Sequence, residues 1–227
     1  MNNAEFIHKK YSDLSNNNFI ASKLALLELQ KVLDMNKFEH SLELGGGIGT
    51  ITELLLLNGV RVSTYEDNLM CLHRLYNLRL SSENKLDVYS ELSDLLLLDA
   101  IDLLIIDYPI NYVTLKKIIT KNRNTISVIA IEGNRFYSRI HVIFSMIKLK
   151  LNFESVNFAS LDNETEGIWF VNINRRIDFS YFKSLGILSK VLPRFIRLEI
   201  RYYISRHALL KFLYSRLKNF TRLVLRK

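Results

Sequence analysis

Residues 41 to 59 read SLELGGGIGTITELLLLNG, and the meaning of this stretch decides how the rest of the chain is read. Ser41 to Leu44 suits the end of a short buried strand. Gly45, Gly46, Gly47 and Gly49 then allow a tight turn with no Cβ in the way of a ligand. Ile48 to Leu57 carries apolar side chains on successive turns, which predicts a helix packed against a sheet. Strand, glycine turn and helix start together frame a pocket of nucleotide size. The N–H groups of the helix's first turn would favour negative charge there. A glycine run alone also serves as a packing turn, so the flanks must separate the two meanings.

Glu43 stands just before the glycines. Glu66 ends the next strand-like run, Val60 to Tyr65, 17 residues after Gly49. In a dinucleotide-binding unit an acidic side chain at the end of the second strand accepts hydrogen bonds from ribose hydroxyls, and Glu66 fits that place. A carboxylate at position 43 would repel a pyrophosphate but suits a cationic amino acid group. The pattern therefore points away from NAD and towards a ligand with an adenosine end and an ammonium end.

The segment Glu43-Leu44-Gly45-Gly46-Gly47-Ile48-Gly49 resembles the acidic-x-Gly-x-Gly-x-Gly motif of the class I S-adenosylmethionine-dependent methyltransferases. The resemblance implies S-adenosylmethionine as cofactor, with Glu43, Gly45, Gly46, Gly47 and Gly49 lying against it and Glu66 on its ribose. It also implies a Rossmann-like three-layer α/β sandwich with a mostly parallel seven-stranded sheet, over roughly residues 20 to 174. It leaves the methyl acceptor open.

Upstream, residues 1 to 18 are polar and rich in asparagine, and the first helix is expected to begin near Asn18. On that helix Ile20, Leu24 and Leu27 share one face, with Leu26, Leu29 and Leu33 beside it. Residues 8 to 15 read either as part of a lid or as a disordered leader, and His8 as an exposed bystander. Downstream, Asn68 to Leu80 predicts a helix with Leu69, Leu72, Leu75 or Tyr76, and Leu80 inward. Asp67 or Asn68 reads as its cap.

Asp102 to Asp107, DLLIID, predicts a strand buried on both faces, stopped by Pro109. Ligands of open parallel sheets sit beyond the strand C-termini, which puts Asp107 at the rim of the pocket as the candidate catalytic base. Thr125 to Ile131 predicts another strand, with Glu132 and Asn134 on the same rim. Metal-using members of the resembled family carry a second aspartate soon after this strand; here it is absent and Glu132-Gly133-Asn134 is an imperfect substitute, so no bound metal is expected. His141 falls inside a following helix and reads as a satisfied helix histidine. Phe153 to Ala159 and Ile168 to Ile173 close the sheet.

The chain carries a net charge of +8, unevenly spread: residues 175 to 227 hold 14 Lys or Arg against 2 Asp or Glu. The basicity belongs to a C-terminal extension. Lys190, Arg194, Arg197 and Arg201 share one helical face, and Ile196, Ile200, Leu210 and Leu213 supply an apolar one. Such a basic amphipathic helix, residues 187 to 227, suits an anionic membrane surface or packing in a homodimer, with nucleic acid third. Cys71 is the only cysteine and excludes an internal disulfide. A cytoplasmic protein, with peripheral membrane attachment through the tail, is expected. The organisation is a helical segment or lid over 1–35, a cofactor-binding domain over 36–174 and the tail over 175–227. The expected function is methylation of a hydroxyl on a small molecule or glycan. An RNA or protein methyltransferase and a non-catalytic scaffold are the alternatives.

Overall fold

The computed structural model describes residues 2–14, 20–133, 136–149, 153–160 and 167–173. Asn134 and the whole tail, including its expected basic helix, lie outside the described residues.

Two helices precede the sheet, α1 (Asn3–Ser12) and α2 (Lys23–Met35). The sequence reading missed the first. Asn2 accepts a hydrogen bond from the Ala4 amide as N-cap, and Ala4, Ile7 and Tyr11 are buried at helical spacing. The second helix begins later than expected, because the Ser22 side chain caps it on the Ala25 amide. It buries Ala25, Leu26, Leu29, Gln30 and Leu33, so the inward face is the one beside the predicted Ile20–Leu24–Leu27 line.

Then follow β1 (His40–Leu44), α3 (Thr50–Leu57), β2 (Arg61–Tyr65), α4 (Leu69–Leu80), β3 (Leu86–Tyr89), α5 (Leu92–Leu95) and β4 (Leu103–Ile106). The series ends with α6 (Tyr112–Lys121), β5 (Val128–Glu132), α7 (Phe136–Lys148), β6 (Phe153–Ser160) and β7 (Gly167–Ile173). The strands join in one sheet of order β3-β2-β1-β4-β5-β7-β6. Pairs from β3 through β5 are parallel, and β7 is antiparallel to both β5 and β6. This is a Rossmann-like α/β sandwich, mostly parallel, with its order reversing direction beside β1.

Register explains what each face buries. Glu43 pairs with Thr64 on β2 and Ile105 on β4, so these side chains share a face. Ile105, Leu103, Val62, Val128 and Ala130 form one core with Ile7 of α1, Leu26 and Leu29 of α2, and Ile51 and Leu54 of α3. The alternate set, Leu104, Ile106, Ile129 and Ile131, is equally buried on the opposite face. A sheet covered on both sides needs continuous apolar strands, which is why DLLIID was legible.

The fourth helix corrects another expectation. Of the two candidate caps Asn68 is the one used, accepting from the Met70 and Cys71 amides. Cys71, Leu72 and Leu75 face inward, whereas Leu69 and Leu80 are 82% and 87% exposed. Among the described residues no helix is long and apolar enough to cross a membrane.

Candidate active site

The order reversal leaves a crevice at the C-terminal ends of β1 and β4, where ligands of such sheets sit. The glycine turn forms its floor. The Gly45 and Gly46 amides both donate to the Tyr65 carbonyl, at 2.8 and 3.0 Å, which folds the turn back onto β2. The Gly47 amide donates to Glu66 Oε2 at 2.8 Å. Glu66 Oε1 accepts from the Asp67 and Asn68 amides at 3.0 and 2.9 Å. One carboxylate thus binds the turn after β1 to the loop after β2.

Close approach explains Gly45 and Gly46, while Gly47 and Gly49 take the positive φ that glycine adopts without strain. A Cβ on Gly45 would lie 2.4 Å from the Asp107 carbonyl oxygen, and the residue sits at φ +90°. A Cβ on Gly46 would meet the Thr64 hydroxyl at 2.4 Å. Gly46 and Gly49 are buried, while Gly45 and Gly47 keep part of their surface open. The two partly open glycines are the ones on which a ligand can rest.

The start of α3 is not an open anion site. Gly49 is its N-cap without a side-chain bond, and the Tyr11 hydroxyl stands 3.3 Å from where a Gly49 Cβ would be. The Ala21 amide donates to the Thr50 hydroxyl at 3.1 Å. The chain entering α2 and the end of α1 therefore cover the helix start. Tyr11 also donates to Glu53 Oε2 at 2.8 Å, and Lys10 pairs with the same carboxylate at 2.7 Å. Burial, then the charge of Glu53, holds the Tyr11 phenol well above its ordinary range.

Glu43 lies behind the turn. It is 1% exposed and accepts a hydrogen bond from the Thr52 hydroxyl in α3. Burial pushes its carboxyl up to about 8, with Asp107 and Glu66 adding repulsion. Buried there, Glu43 ties β1 to α3 through the Thr52 hydroxyl.

Asp107 follows β4, its amide donating to the Leu44 carbonyl at 2.7 Å, and its side chain is half-buried at the rim. Its Oδ1 stands 3.8 Å from the Cβ position of Gly133, just beyond β5. Glu132 is buried and accepts from the Ser22 amide at 3.5 Å. The rim therefore runs Glu66, glycine turn, Asp107, Glu132 across β2, β1, β4 and β5. Among the described residues no group of three or more His, Cys, Asp or Glu is placed to hold a metal ion.

Several contacts were not visible in the sequence. The Tyr108 hydroxyl donates to Asp67 Oδ2 at 2.7 Å, and the Tyr108 ring meets Tyr65 edge-on. The Arg139 guanidinium donates to the Gly133 carbonyl and lies 4.6 Å from the centre of the Trp169 ring. Alternation and helical period give no sign of these. For Tyr11 a sign existed, since Ala4, Ile7 and Tyr11 repeat at three and four residues. His141 is the satisfied helix histidine expected, its Nδ1 3.0 Å from the Ile110 carbonyl oxygen.

A cofactor with an adenosine end fits the front of this site on two observations. Gly45 and Gly47 are partly open, and Glu66 stands beside them at the end of β2 with three of its roughly four acceptor positions used.

No protein-family model matches the chain, and no curated protein matches it in sequence. Solved structures do. A protein assigned as a caffeoyl-CoA O-methyltransferase from Staphylococcus aureus superposes with a TM-score of 0.57 at 14% identity, covering 75% of this chain and 92% of its own. An O-methyltransferase from Bacillus cereus, solved with S-adenosylhomocysteine, gives 0.56 at 15%, covering 76% and 90%. A protein assigned as an RNA methyltransferase from Pyrococcus horikoshii gives 0.55 at 14%, covering 78% and 98%. Strand order, the reversal beside β1 and these likenesses together show that the chain has the fold of the class I S-adenosylmethionine-dependent methyltransferases.

Proposed function

We propose that the chain is an S-adenosylmethionine-dependent methyltransferase acting on a hydroxyl of a small molecule or glycan. The observation that carries the reading is the Glu66 clamp: a carboxylate at the end of β2 holds the Gly47 amide, beside two partly open glycines. Bound there, the cofactor would supply a methyl group on a sulfonium. Glu66 offers its remaining acceptor capacity to ribose hydroxyls, and Gly45 and Gly47 let the ligand approach the main chain. Gly46 and Gly49 shape the turn from beneath, and Glu43 braces it from behind through Thr52.

The chemistry asks mainly for position, since in-line attack at near-contact distance supplies much of the rate. Asp107, at the rim next to the turn, is the group placed to take the proton of an acceptor hydroxyl. A hydroxyl acceptor fits the O-methyltransferase from Bacillus cereus and the protein assigned as one from Staphylococcus aureus among the similar structures.

The basic segment favours one second reading. Fourteen Lys or Arg between residues 175 and 227, with one structural relative assigned to RNA, fit a tail that binds a nucleic acid substrate. Steep loss of substrate binding with salt distinguishes this reading. Residues 187 to 227 on an anionic membrane, or in a homodimer, fit the small-molecule reading, and that membrane role predicts vesicle binding that is lost when they are removed.

The deciding experiment is calorimetric titration with S-adenosylmethionine and S-adenosylhomocysteine, with NAD as the comparison. Binding of the first two and none of NAD is expected; a folded sample that binds neither sulfur ligand would overturn the reading. With an acceptor in hand, Asp107→Asn should lower turnover by about 100-fold while cofactor affinity stays within about twofold. An unchanged rate would return Asp107 to a structural role.

A further inference from the structure

Two side chains that the proposed chemistry leaves unused meet across the mouth of the crevice. β1 lies between β2 and β4, so a link from the end of β2 to the end of β4 passes over the glycine turn. Tyr108 makes that link. Its Cβ is 3.3 Å from where a Gly45 Cβ would stand, so the side chain leaves the backbone directly against the turn. Its ring packs edge-on against Tyr65, centroids 5.1 Å apart, and its hydroxyl reaches Asp67 Oδ2 at 2.7 Å. Asp67 is the residue after Glu66.

The main chain beneath Tyr108 is held in place. Pro109 restricts Tyr108 to extended conformations. The Ile110 amide donates to the Tyr108 carbonyl at 2.8 Å, and the Ser138 hydroxyl of α7 donates to the same oxygen at 3.0 Å. Side-chain torsions are what remain free to move, and exposed side chains change rotamer within nanoseconds. The bond to Asp67 is exposed, so water competes for both partners and the closure is shallow.

From this we infer that Tyr108 and Asp67 form a side-chain strap over the crevice, closed in the free protein, which opens by rotation of Tyr108 before an adenosine group settles on Gly45 and Gly47. The inference rests on the cofactor reading proposed above. A strap that is closed most of the time scales the association rate down to the fraction of molecules that are open. It does so without touching the reacting atoms, which makes Tyr108 and Asp67 controllers of cofactor access and not catalytic residues.

The test is the association rate of S-adenosylhomocysteine, measured by surface plasmon resonance on the full chain and on Tyr108→Phe, Asp67→Ala and the double variant. Each single change removes the same bond, so each should raise the rate about 3- to 10-fold. The double variant should match a single one, because a bond can be lost only once. Wild-type rates in both single variants, or a double effect equal to the product of the two, would overturn the strap. Thermal melts confirm that each variant is folded. If the wild type itself binds no S-adenosylhomocysteine, the cofactor reading falls and the strap's role falls with it. Binding by the wild type with unaltered rates in the variants removes the strap alone.

Discussion

Glu43 and Glu66 stand on opposite sides of one glycine turn, both buried, and their surroundings make them different chemical groups. Behind the turn Glu43 meets hydroxyl and apolar side chains, and burial holds its proton up to about pH 8. In front, Glu66 accepts three main-chain amides, which fix it between the glycine turn and the loop after β2. Equal burial therefore does not mean equal chemistry.

The largest effect should come from the front. Glu66→Ala leaves the Gly47, Asp67 and Asn68 amides without their acceptor and should cost roughly 2–4 kcal/mol of stability. Cofactor affinity should fall by about 100-fold or more, measured by calorimetry at a temperature where the variant stays folded. Glu66→Gln keeps one acceptor oxygen and should lie between. A variant as stable and as tightly binding as the wild type would mean that the clamp holds nothing.

Next comes the wall between the two carboxylates. Gly45→Ala would place a methyl 2.4 Å from a backbone oxygen at φ +90°, so β1 and β4 would have to part locally. A loss of roughly 1–3 kcal/mol is expected in denaturant unfolding. Gly59→Ala is the control, since it has a positive φ but nothing within 4 Å of its Cβ position. If the two changes cost the same, close approach is not the reason for Gly45.

The smallest effect tests the back. Between the ordinary carboxyl value of 4.5 and about 8, the folded chain keeps the Glu43 proton that the unfolded chain has released. Stability from this site is thus complete below 4.5 and drains away as pH rises towards 8. Glu43→Gln removes the titration. Relative to the wild type it should gain roughly 1 kcal/mol for each pH unit crossed between pH 5 and pH 7, read from melting curves. A constant difference across that range would show that Glu43 is charged throughout.

The central strands β4 and β5 were readable because they are buried on both faces, and continuous apolar runs such as LLII need no partner to be recognised. The glycine turn and Glu66 were readable because they follow a spacing tied to backbone geometry. The outer faces of helices were not. Leu69 and Leu80 fit a helical apolar stripe as well as Cys71, Leu72 and Leu75 do, and only the direction of the sheet decides between them. The first helix was hidden by its composition, since NAEFIHKKYS has three buried residues among polar ones. Burial of Glu43 was hidden too, because it depends on a register partner, Thr64, and on Thr52 from the next helix. Contacts set by tertiary pairing leave no period in a sequence.

Trp169 is the chain's single tryptophan, and its ring is covered by the Arg139 guanidinium from α7. Excited at wavelengths where the 11 tyrosines are silent, the protein therefore has one emitter, seated where the last antiparallel strand meets its helix. The same helix anchors the Tyr108 carbonyl through Ser138. A swing of the Tyr108 ring alone should leave that emission unchanged, whereas a shift of the anchoring helix should alter its colour and intensity. The molecule thus carries its own optical marker for telling a moving side chain from a moving scaffold.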